Sequence, residues 1–489
     1  MTESFLPALA VFTPFAGGLA IVLLRRWPNA RDGASLVSAA ITLLLAASAI
    51  PSVFAGQPLS ITLARFAPGL EITFTADALG LLFATVASFL WIPTTVYSIG
   101  YMRGLREHAQ TRYYLFFALV MGAAMAVAFA ANLFVLLLFY EVLTLATYPL
   151  VIHKETPEAF RAGRKYLVYT LGGGSSILAA LAILWGLTGE TGFVAGGNPA
   201  LAALPSNAIL AVFALLIAGF GVKATLVPLH GWLPSAMVAP TPVSGLLHAV
   251  AVVKAGVFGI LRSVFFLLGP SLVSGQDLQI PLAVAASITI LVGSLFALLQ
   301  DDLKLRLAYS TISQLSYVVL GAALLTPYAL IGASFHIAAH GFAKLTMFFV
   351  AGAIAVETGK TRISELDGIG RTMPGTMIAF ALAAFGMISL PPLAGFVSKW
   401  YLTVGAWQAA SPGLVLLLAV SSALNAAYFL PIVTRSFLAP SAGPRREARK
   451  SLSGPAWATG AGALLLGTWT ALPWGPFEIA QYLAREVGG

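Results

Sequence analysis

The chain has 489 residues, of which 59% are hydrophobic and only 9% are charged, whereas soluble domains carry about 25% charged residues. This composition excludes an ordinary soluble protein and indicates a chain that crosses a lipid bilayer many times. The formal net charge of +9 is spread among short loops, which favours a membrane-orientation signal over nucleic-acid binding. Because the chain has no cysteine, disulfides, thiolate metal sites and iron–sulfur clusters held by this chain are excluded.

Apolar runs of about 20 residues, long enough to cross a bilayer, recur along the whole chain. The first run is too long for the apolar part of a signal peptide and has no basic segment before it, so we expect it to be a span. We predict an all-α polytopic membrane protein with about fourteen transmembrane helices, numbered here as spans 1 to 14. Their approximate positions are 5–24, 33–54, 75–98, 111–129, 131–152, 162–186, 207–239, 242–268, 279–299, 304–325, 328–356, 375–410, 411–438 and 455–473.

The basic residues are distributed unevenly between the two sets of alternating loops. Twenty of the 27 lysines and arginines fall on one set, whereas only Arg65, Arg262 and Arg485 fall on the other, and four lysines lie inside spans. Because cytoplasmic loops retain the excess of lysine and arginine, we predict that both termini lie on the outer side. We expect a multi-pass protein of a bacterial or archaeal plasma membrane.

Spans 7 and 12 are too long for single ordinary helices, and each contains proline near its middle. Proline removes a backbone donor and clashes with the preceding turn, so each span is predicted to be two half-helices. Freed backbone groups are tolerated inside a membrane only where protein or water covers them. Such broken helices are typical of ion paths through transporters.

The two breaks share a local pattern. Pro228-Leu-His-Gly-Trp232 and Pro392-Leu-Ala-Gly-Phe396 both read Pro-Leu-x-Gly-aromatic. The breaks lie five helices apart, and because five is odd the two copies face opposite ways across the membrane. We therefore predict two inverted five-helix repeats, helices 4–8 and 9–13, each forming half of an ion channel. The predicted regions are a peripheral part with spans 1–3 at 1–110, the first repeat at 111–268, the second repeat at 279–438, and a terminal helix with a short tail at 455–489.

Charged residues inside the spans are the strongest functional signal. Glu141 is the acid predicted at mid-span, while three lysines lie near the midplane and a fourth follows the break in span 12. These lysines are Lys223, Lys254, Lys344 and Lys399. A charge at the bilayer centre costs at least about 2.5–3.5 kcal/mol, so we predict that these side chains face the interior of the bundle.

Two interpretations of the lysines stay open. A structural ion pair is one, but a single carboxylate can be the sole partner of only one of the four lysines. The other is a proton relay, because a desolvated lysine can pass between its charged and neutral forms. If Glu141 lay about 4 Å from Lys223, the pair would gain roughly 4 kcal/mol at an effective dielectric constant of 20.

Four of the six histidines are predicted inside spans or at a break: His230, His248, His336 and His340. His336, His340 and Lys344 recur every four residues and so share one face of span 11. We interpret them as a titratable row. Zinc binding by the two histidines is an alternative, but the neighbouring sequence has no acid or cysteine that completes a site. His230 either caps broken backbone or transfers protons, and His108 and His153 are expected to be solvated loop residues.

One glycine-rich motif, Leu171-Gly-Gly-Gly-Ser175, lies inside span 6. It lacks the preceding strand that a phosphate-binding loop needs, so it predicts close helix packing instead. We therefore predict no cofactor-binding site and no metal site.

Six motifs in order resemble the antiporter-like subunits shared by Mrp-type Na⁺/H⁺ antiporters, respiratory complex I and membrane-bound hydrogenases. They are Phe139-Tyr-Glu141, Pro228-Leu-His-Gly-Trp-Leu-Pro234, Ala239-Pro-Thr-Pro-Val-Ser-Gly-Leu-Leu-His-Ala249, Val253-Lys-Ala-Gly256, His340-Gly-Phe-Ala-Lys344 and Pro391-Pro-Leu-Ala-Gly-Phe-Val-Ser-Lys399. The resemblance covers nearly the whole chain. Within the family the chain is most similar to the D-type branch of the Mrp antiporters, on its length and on Asp367-Gly-Ile-Gly-Arg-Thr-Met-Pro374.

The resemblance implies fourteen helices and proton transfer through Glu141 and the four buried lysines, together with His340. It also implies other membrane subunits as partners, and protons and Na⁺ as the transported ions. Three functions follow as hypotheses: one component of a cation/proton antiporter, the proton-pumping arm of a redox enzyme such as complex I or a hydrogenase, and an autonomous transporter of a small organic anion.

Overall fold

The computed structural model describes residues 2–440 and 443–488, and most of this part of the chain is helical. The helices of the first half are α1 (Leu6–Leu23), α2 (Pro28–Ser48), α3 (Ile50–Phe54), α4 (Ala78–Gly104), α5 (Gln110–Ala128), α6 (Leu133–Val151), α7 (Pro157–Thr188), α8 (Ser206–Ala224), α9 (Trp232–Ser235), α10 (Thr241–Gly245), α11 (Val252–Arg262) and α12 (Pro270–Gly275). Those of the second half are α13 (Gln279–Leu299), α14 (Leu303–Leu324), α15 (Pro327–Thr358), α16 (Ile369–Thr372), α17 (Pro374–Ile388), α18 (Ala394–Gln408), α19 (Pro412–Leu438), α20 (Lys450–Thr468) and α21 (Pro476–Gly488).

Twelve helical segments within residues 2–440 and 443–488 are long and apolar enough to cross a membrane. One of them, Thr241–Leu268, is a single column in which α10 and α11 are joined and extended by the π-helical segments Leu246–Val250 and Ser263–Leu268. The remaining two predicted spans correspond to the broken pair α17–α18 and to α20, so a helix occupies each of the fourteen predicted positions. The exact number of membrane crossings stays a prediction.

A small sheet is absent from the all-α prediction. Its strands are β1 (Thr2–Glu3), β2 (Leu59–Ala67) and β3 (Leu70–Ala76), in the order β1-β2-β3. β1 pairs with β2 in parallel, and β2 pairs with β3 as an antiparallel hairpin. The sheet fills the connection between predicted spans 2 and 3 and joins the start of the chain to it.

The two predicted breaks are present and have the same local design. α8 ends at Thr225, which adopts a left-handed backbone conformation at φ 61°, and α17 ends at Ser389 at φ 80°. A left-handed residue at the end of a helix turns the chain away from the helix axis. After the first break only the short helices α9 and Ala236–Val238 follow, whereas after the second break α18 continues for 15 residues. The two half-spans are therefore unequal in length.

The core of the bundle is formed by the column Thr241–Leu268 and by α15, both of which are buried over their whole apolar length. The helix α15 packs against α4, α14, α17, α18 and α20, so it is surrounded on all sides. In outer helices such as α2 and α19, fewer than half of the residues in the most apolar stretch are buried, and leucines and valines are exposed. A polar residue on α15 or on this column therefore faces protein rather than lipid.

Two expectations for loop residues are wrong. Arg262, assigned to an outer loop, lies in α11 with 1% of its surface exposed and pairs with Asp77. His153, expected to be solvated, lies in the connection between α6 and α7 and is buried. The local sequence is misleading in both places because each residue lies at the end of an apolar run, where burial depends on neighbouring helices.

Candidate functional site

The predicted relay lysines are all buried. Lys223 and Lys344 are 0% exposed, Lys254 1% and Lys399 5%. Glu141 is partly exposed as a residue, but both of its carboxylate oxygens are buried. Their placement inside the bundle agrees with the cost of exposing a charged group to lipid.

Each of the four lysines donates a hydrogen bond from Nζ to a backbone carbonyl oxygen of another helix. The distances are 2.6 Å from Lys223 to Tyr140, 3.1 Å from Lys254 to Ile337, 2.9 Å from Lys344 to Leu307 and 3.2 Å from Lys399 to Met387. A buried amine without a hydrogen-bond acceptor is unfavourable, and here backbone carbonyl oxygens accept from the lysines in place of carboxylates. Sequence reasoning missed these acceptors because a carbonyl oxygen belongs to every residue type.

Lys223 lies one residue before the end of α8, at the first break. Its Nζ is 3.4 Å from the centroid of the Tyr140 ring, so it interacts with both the ring and the carbonyl of that residue. The break itself is covered by two side-chain bonds: Trp232 Nε1 donates to the Val222 carbonyl at 2.8 Å, and the Val227 amide donates to Thr289 Oγ1 at 3.0 Å. These bonds satisfy backbone groups that the break would otherwise leave unpaired.

His230 lies in the turn at the first break, between α8 and α9. Within the described residues its ring makes no hydrogen bond, and its buried Nδ1 has no partner. Trp232 from the same motif bonds to the end of the broken helix instead. Both roles considered for His230, capping and proton transfer, stay predictions.

Glu141 and Lys223 lie on neighbouring helices but do not form an ion pair. Among the residues that the structure describes, neither oxygen of Glu141 has a hydrogen-bond partner, and no ion pair within 4.0 Å joins it to Lys223. The carboxylate faces α7 at Gly174, whose missing side chain makes room for it. The glycine motif of span 6 thus gives the predicted close packing and also a niche for Glu141.

A second group of side chains runs from α11 through α15 to α18. Lys254 Nζ lies 2.9 Å from His340 Nδ1, and the rings of His340 and His336 have centroids 5.8 Å apart. His336 Nδ1 is hydrogen-bonded to Ser398 Oγ at 2.8 Å, and Ser398 directly precedes Lys399. Four titratable groups from three helices are thereby placed in one row across the centre of the bundle.

Lys344 and His248 lie beside this row. Lys344 is hydrogen-bonded to Ser310 Oγ and to the Leu307 carbonyl, both on α14. His248 lies in the π-helical segment, with its ring centroid 4.9 Å from that of Phe348. Neither of its ring nitrogens has a hydrogen-bond partner in the described part of the chain.

Sequence reasoning missed a polar network around Lys399. Its Nζ lies 4.7 Å from the centroid of the Tyr317 ring and 3.3 Å from Ser422 Oγ. Tyr317 is itself bonded to Ser421 Oγ at 2.5 Å, and Asn425 Nδ2 donates to the Tyr317 hydroxyl at 3.1 Å. One residue in the sequence could have indicated this network: Asn425, inside the apolar run of span 13. An amide is unfavourable where a helix faces lipid, so Asn425 would be expected to face a polar partner in the bundle.

A buried ion pair was also missed. Asp77 caps the start of α4 by accepting from the Gly80 amide at 2.8 Å, and it pairs with the Arg262 guanidinium. Arg262 also lies near the rings of Phe193, Phe258 and Phe266. Glu486 from α21, outside the membrane-length helices, is close enough that burial and the Asp77 carboxylate raise its pKa to about 7, with Arg262 opposing.

Comparisons with known proteins identify the family. Residues 130–425 match the family described as "NADH:quinone oxidoreductase/Mrp antiporter, TM". NADH-quinone oxidoreductase subunit N of Desulforudis audaxviator is 32% identical over 449 residues, 90% of this chain and 89% of that protein. One Na(+)/H(+) antiporter component of Alkalihalophilus pseudofirmus is 32% identical over 351 residues, 68% of this chain but only 43% of that protein.

The fold is shared with a solved membrane complex. A chain of the Mrp complex from Dietzia sp. DQ12-45-1b superposes with a TM-score of 0.86 at 23% identity, over 99% of both chains. At this identity the likeness establishes the architecture, and the family match over more than half of the chain establishes the relationship. The chain belongs to the NADH:quinone oxidoreductase/Mrp antiporter family of membrane ion-translocating subunits.

Proposed function

We propose that this chain is the proton-translocating membrane subunit of a multisubunit Mrp-type antiporter that exchanges a monovalent cation, Na⁺, for protons. The observation that supports it is the row of titratable groups from Lys254 through His340 and His336 to Lys399, buried where lipid-facing charges would be unfavourable. A row of amines and imidazoles serves proton exchange, since each can take up and release a proton.

In this proposal the two inverted repeats, 111–268 and 279–438, act as proton half-channels. Protons enter one half near Lys223 and pass Lys254 and His340 to leave by Lys399, with Lys344 and His248 as side branches and His230 at the first break. Both termini lie on the outer side of the plasma membrane. The two breaks share a left-handed residue at the end of the first half-helix and a nearby lysine that lies over a tyrosine ring, Lys223 before the first break and Lys399 after the second, and this likeness supports the repeat.

Glu141 modulates Lys223 in this scheme. The two groups do not form an ion pair, but Lys223 bonds to the carbonyl of Tyr140, the residue directly before Glu141, so in this scheme a movement of either helix brings the amine and the carboxylate together. Closing to about 4 Å would contribute roughly 4 kcal/mol at an effective dielectric constant of 20. That energy is enough to decide whether the amine holds its proton, and it couples helix movement to proton transfer.

The test is cation/proton exchange by the assembled complex in membrane vesicles. Lys223→Ala and Glu141→Ala should abolish most exchange while leaving complex assembly intact, whereas the exposed Lys154→Ala removes a lysine charge outside the bundle and should leave exchange unchanged. Full exchange by a correctly assembled Lys223→Ala complex would overturn the proposal.

A second candidate is the proton-pumping subunit of a redox enzyme of the complex I type or of a hydrogenase. It is favoured by the match over nearly the full length of an NADH-quinone oxidoreductase subunit N. The same residues would move protons, while electron transfer in partner chains would supply the energy. Mass spectrometry of the native complex separates the two: flavin or iron–sulfur proteins among its chains would assign the redox function.

A further inference from the structure

Two loops on the same side of the bundle bring four polar residues together. Glu107 and His108 lie in the connection between α4 and α5, and His153 and Glu155 lie in the connection between α6 and α7. The rings of His108 and His153 are stacked, with centroids 4.8 Å apart and planes inclined by 25°. The cluster lies outside the titratable row and plays no part in the function proposed above.

The coordinating atoms of three of these residues lie close together. One ligand atom each from Glu107, His108 and His153 falls within 4.8 Å of the others. Glu107 Oε2 is 3.9 Å from His108 Nδ1 and 4.0 Å from His153 Nε2. Tetrahedral zinc with bonds of about 2.0–2.1 Å places its ligand atoms roughly 3.3 Å apart. Binding therefore requires the two imidazoles to rotate out of their stacked arrangement, so that the lone pairs of both rings point at one ion.

His153 is the observation that points to a ligand. Its side chain is 0% exposed, and in the described part of the chain neither ring nitrogen makes a hydrogen bond. A buried imidazole that leaves both nitrogens unpaired is unfavourable, because burial removes the water that would otherwise bond to them. A metal ion bound at Nε2 satisfies this nitrogen.

The nitrogen of His108 that would not bind the metal, Nε2, has a carboxylate nearby, as in many metal sites. Its Nδ1 faces Glu107, while its Nε2 lies 3.8 Å from Glu155 Oε1, and Arg112 donates to that same oxygen at 2.5 Å. A metal-bound histidine usually directs its other nitrogen at a carboxylate, which fixes the ring and its tautomer. Glu155, held by Arg112, is in the position to accept that bond.

We propose that Glu107, His108 and His153 bind one divalent transition-metal ion of the zinc class at the surface that joins the α4–α5 and α6–α7 loops. Two imidazoles and a carboxylate suit Zn²⁺ better than Mg²⁺ or Ca²⁺, which prefer oxygen ligands alone. Three protein ligands leave a fourth position for water. The ion ties the loop that follows α4 to the end of α6, the helix that carries Tyr140 and Glu141.

The test is direct metal binding by the full-length chain, purified in detergent without a polyhistidine tag. Zn²⁺ titrated by calorimetry should bind wild-type chain at one ion per chain. His108→Gln and Glu107→Gln should each weaken binding by about 100-fold or more, because loss of an outer partner alone already costs 10–100-fold. Glu158→Gln, which removes an exposed carboxylate of the same region, should bind like wild type.

Co²⁺ gives a second readout. Four-coordinate Co²⁺ with imidazole ligands absorbs visible light much more strongly than the octahedral aqueous ion, so binding should increase the visible absorption. His108 is 47% exposed, so its variant is expected to fold even if His153→Gln does not. Wild-type zinc binding no stronger than that of the Glu107→Gln/His108→Gln double variant would overturn the proposal. Equal loss in Glu158→Gln would overturn it too. Because the readout is binding, its failure leaves the transport proposal standing.

Discussion

Gly174 and Glu141 face each other across the interface of α6 and α7 so closely that a Cβ on Gly174 would lie 1.7 Å from Oε1 of Glu141. Real side chains do not approach to that distance, so any larger residue at this position must move the carboxylate. Gly173, one residue earlier, packs against the Gly219 carbonyl of α8. The glycine motif therefore sets both the spacing of α7 against its neighbours and the position of the acid.

Gly174→Ala is expected to displace Glu141 and to lower cation/proton exchange about as much as Glu141→Ala does. The clash involves the end of a flexible side chain, so we expect the fold to persist with a stability loss of at most about 1–3 kcal/mol. Gly172→Ala is the matched control, because a Cβ there has nothing within 4 Å among the described residues and alanine favours helix. Equal exchange in the two variants would show that Gly174 does not position Glu141.

The contact between Lys254 and His340 predicts that substitutions of His340 can change stability and transport by different amounts. His340→Ala leaves Lys254 without its side-chain partner in the bundle interior and is expected to cost about 1–3 kcal/mol. His340→Gln keeps a hydrogen-bond acceptor near the amine and should recover most of that loss. Because an amide does not take up and release protons near neutral pH, transport should be lost in both variants. Thermal melting and vesicle exchange, measured on the same preparations, check this, and normal exchange by His340→Gln would contradict it.

The Asp77–Arg262 pair should be structurally important. Arg262→Ala leaves Asp77 facing a largely buried site and removes contacts with three phenyl rings, so we expect a loss of about 3–5 kcal/mol. Arg65→Ala breaks the exposed pair with Glu71 and should cost no more than about 1 kcal/mol. Melting temperatures in detergent compare the two; similar shifts would mean that burial does not govern the strength of the first pair.

Glu486 should make stability depend on pH. Burial first, then the nearby Asp77 carboxylate, raises the pKa of Glu486 from 4.5 to about 7, while the Arg262 guanidinium opposes the shift. The folded state therefore binds this proton more tightly than the unfolded state. The resulting stabilisation is fully present below about pH 4.5 and is lost as the pH rises through about 7.

Glu486→Gln should consequently melt like wild type near pH 5 and at a higher temperature near pH 8. The expected gain at the higher pH is roughly 2 kcal/mol, which allows for solvent screening of a partly exposed carboxylate. Melting curves of both proteins across this range provide the measurement. A difference that does not change with pH would exclude Glu486 as the source.

Much of the architecture follows from the sequence because bilayer thickness fixes the length of each apolar run. The runs give the helices in order, and Pro228 and Pro391-Pro392 mark the two breaks. The hairpin of β2 and β3 was missed, although Leu59-Ser-Ile-Thr-Leu63 alternates apolar and polar residues as a strand does. A search restricted to long apolar runs passes over such a short segment.

The titratable residues could be named from the sequence, but their partners could not. Burial of Lys223 and Lys254 follows from charge in an apolar run, whereas their contacts depend on helix rotation and on neighbours more than 80 positions away in sequence. The sequence interpretation allowed a direct pair between Glu141 and Lys223, yet the packing of α7 holds the carboxylate at Gly174 instead. Small residues at helix contacts decide such distances, and a residue pattern alone does not measure them.

The carbonyl oxygens that anchor the four lysines have a consequence for how the amines can change. A carbonyl accepts a hydrogen bond from –NH₃⁺ and also, more weakly, from –NH₂, so it provides a partner for the nitrogen in both protonation states. A carboxylate partner would instead favour the charged form and resist release. Because a neutral carbonyl favours the charged form less than a carboxylate does, each amine can release its proton in response to electrostatic changes elsewhere in the bundle while it keeps the same hydrogen-bond partner.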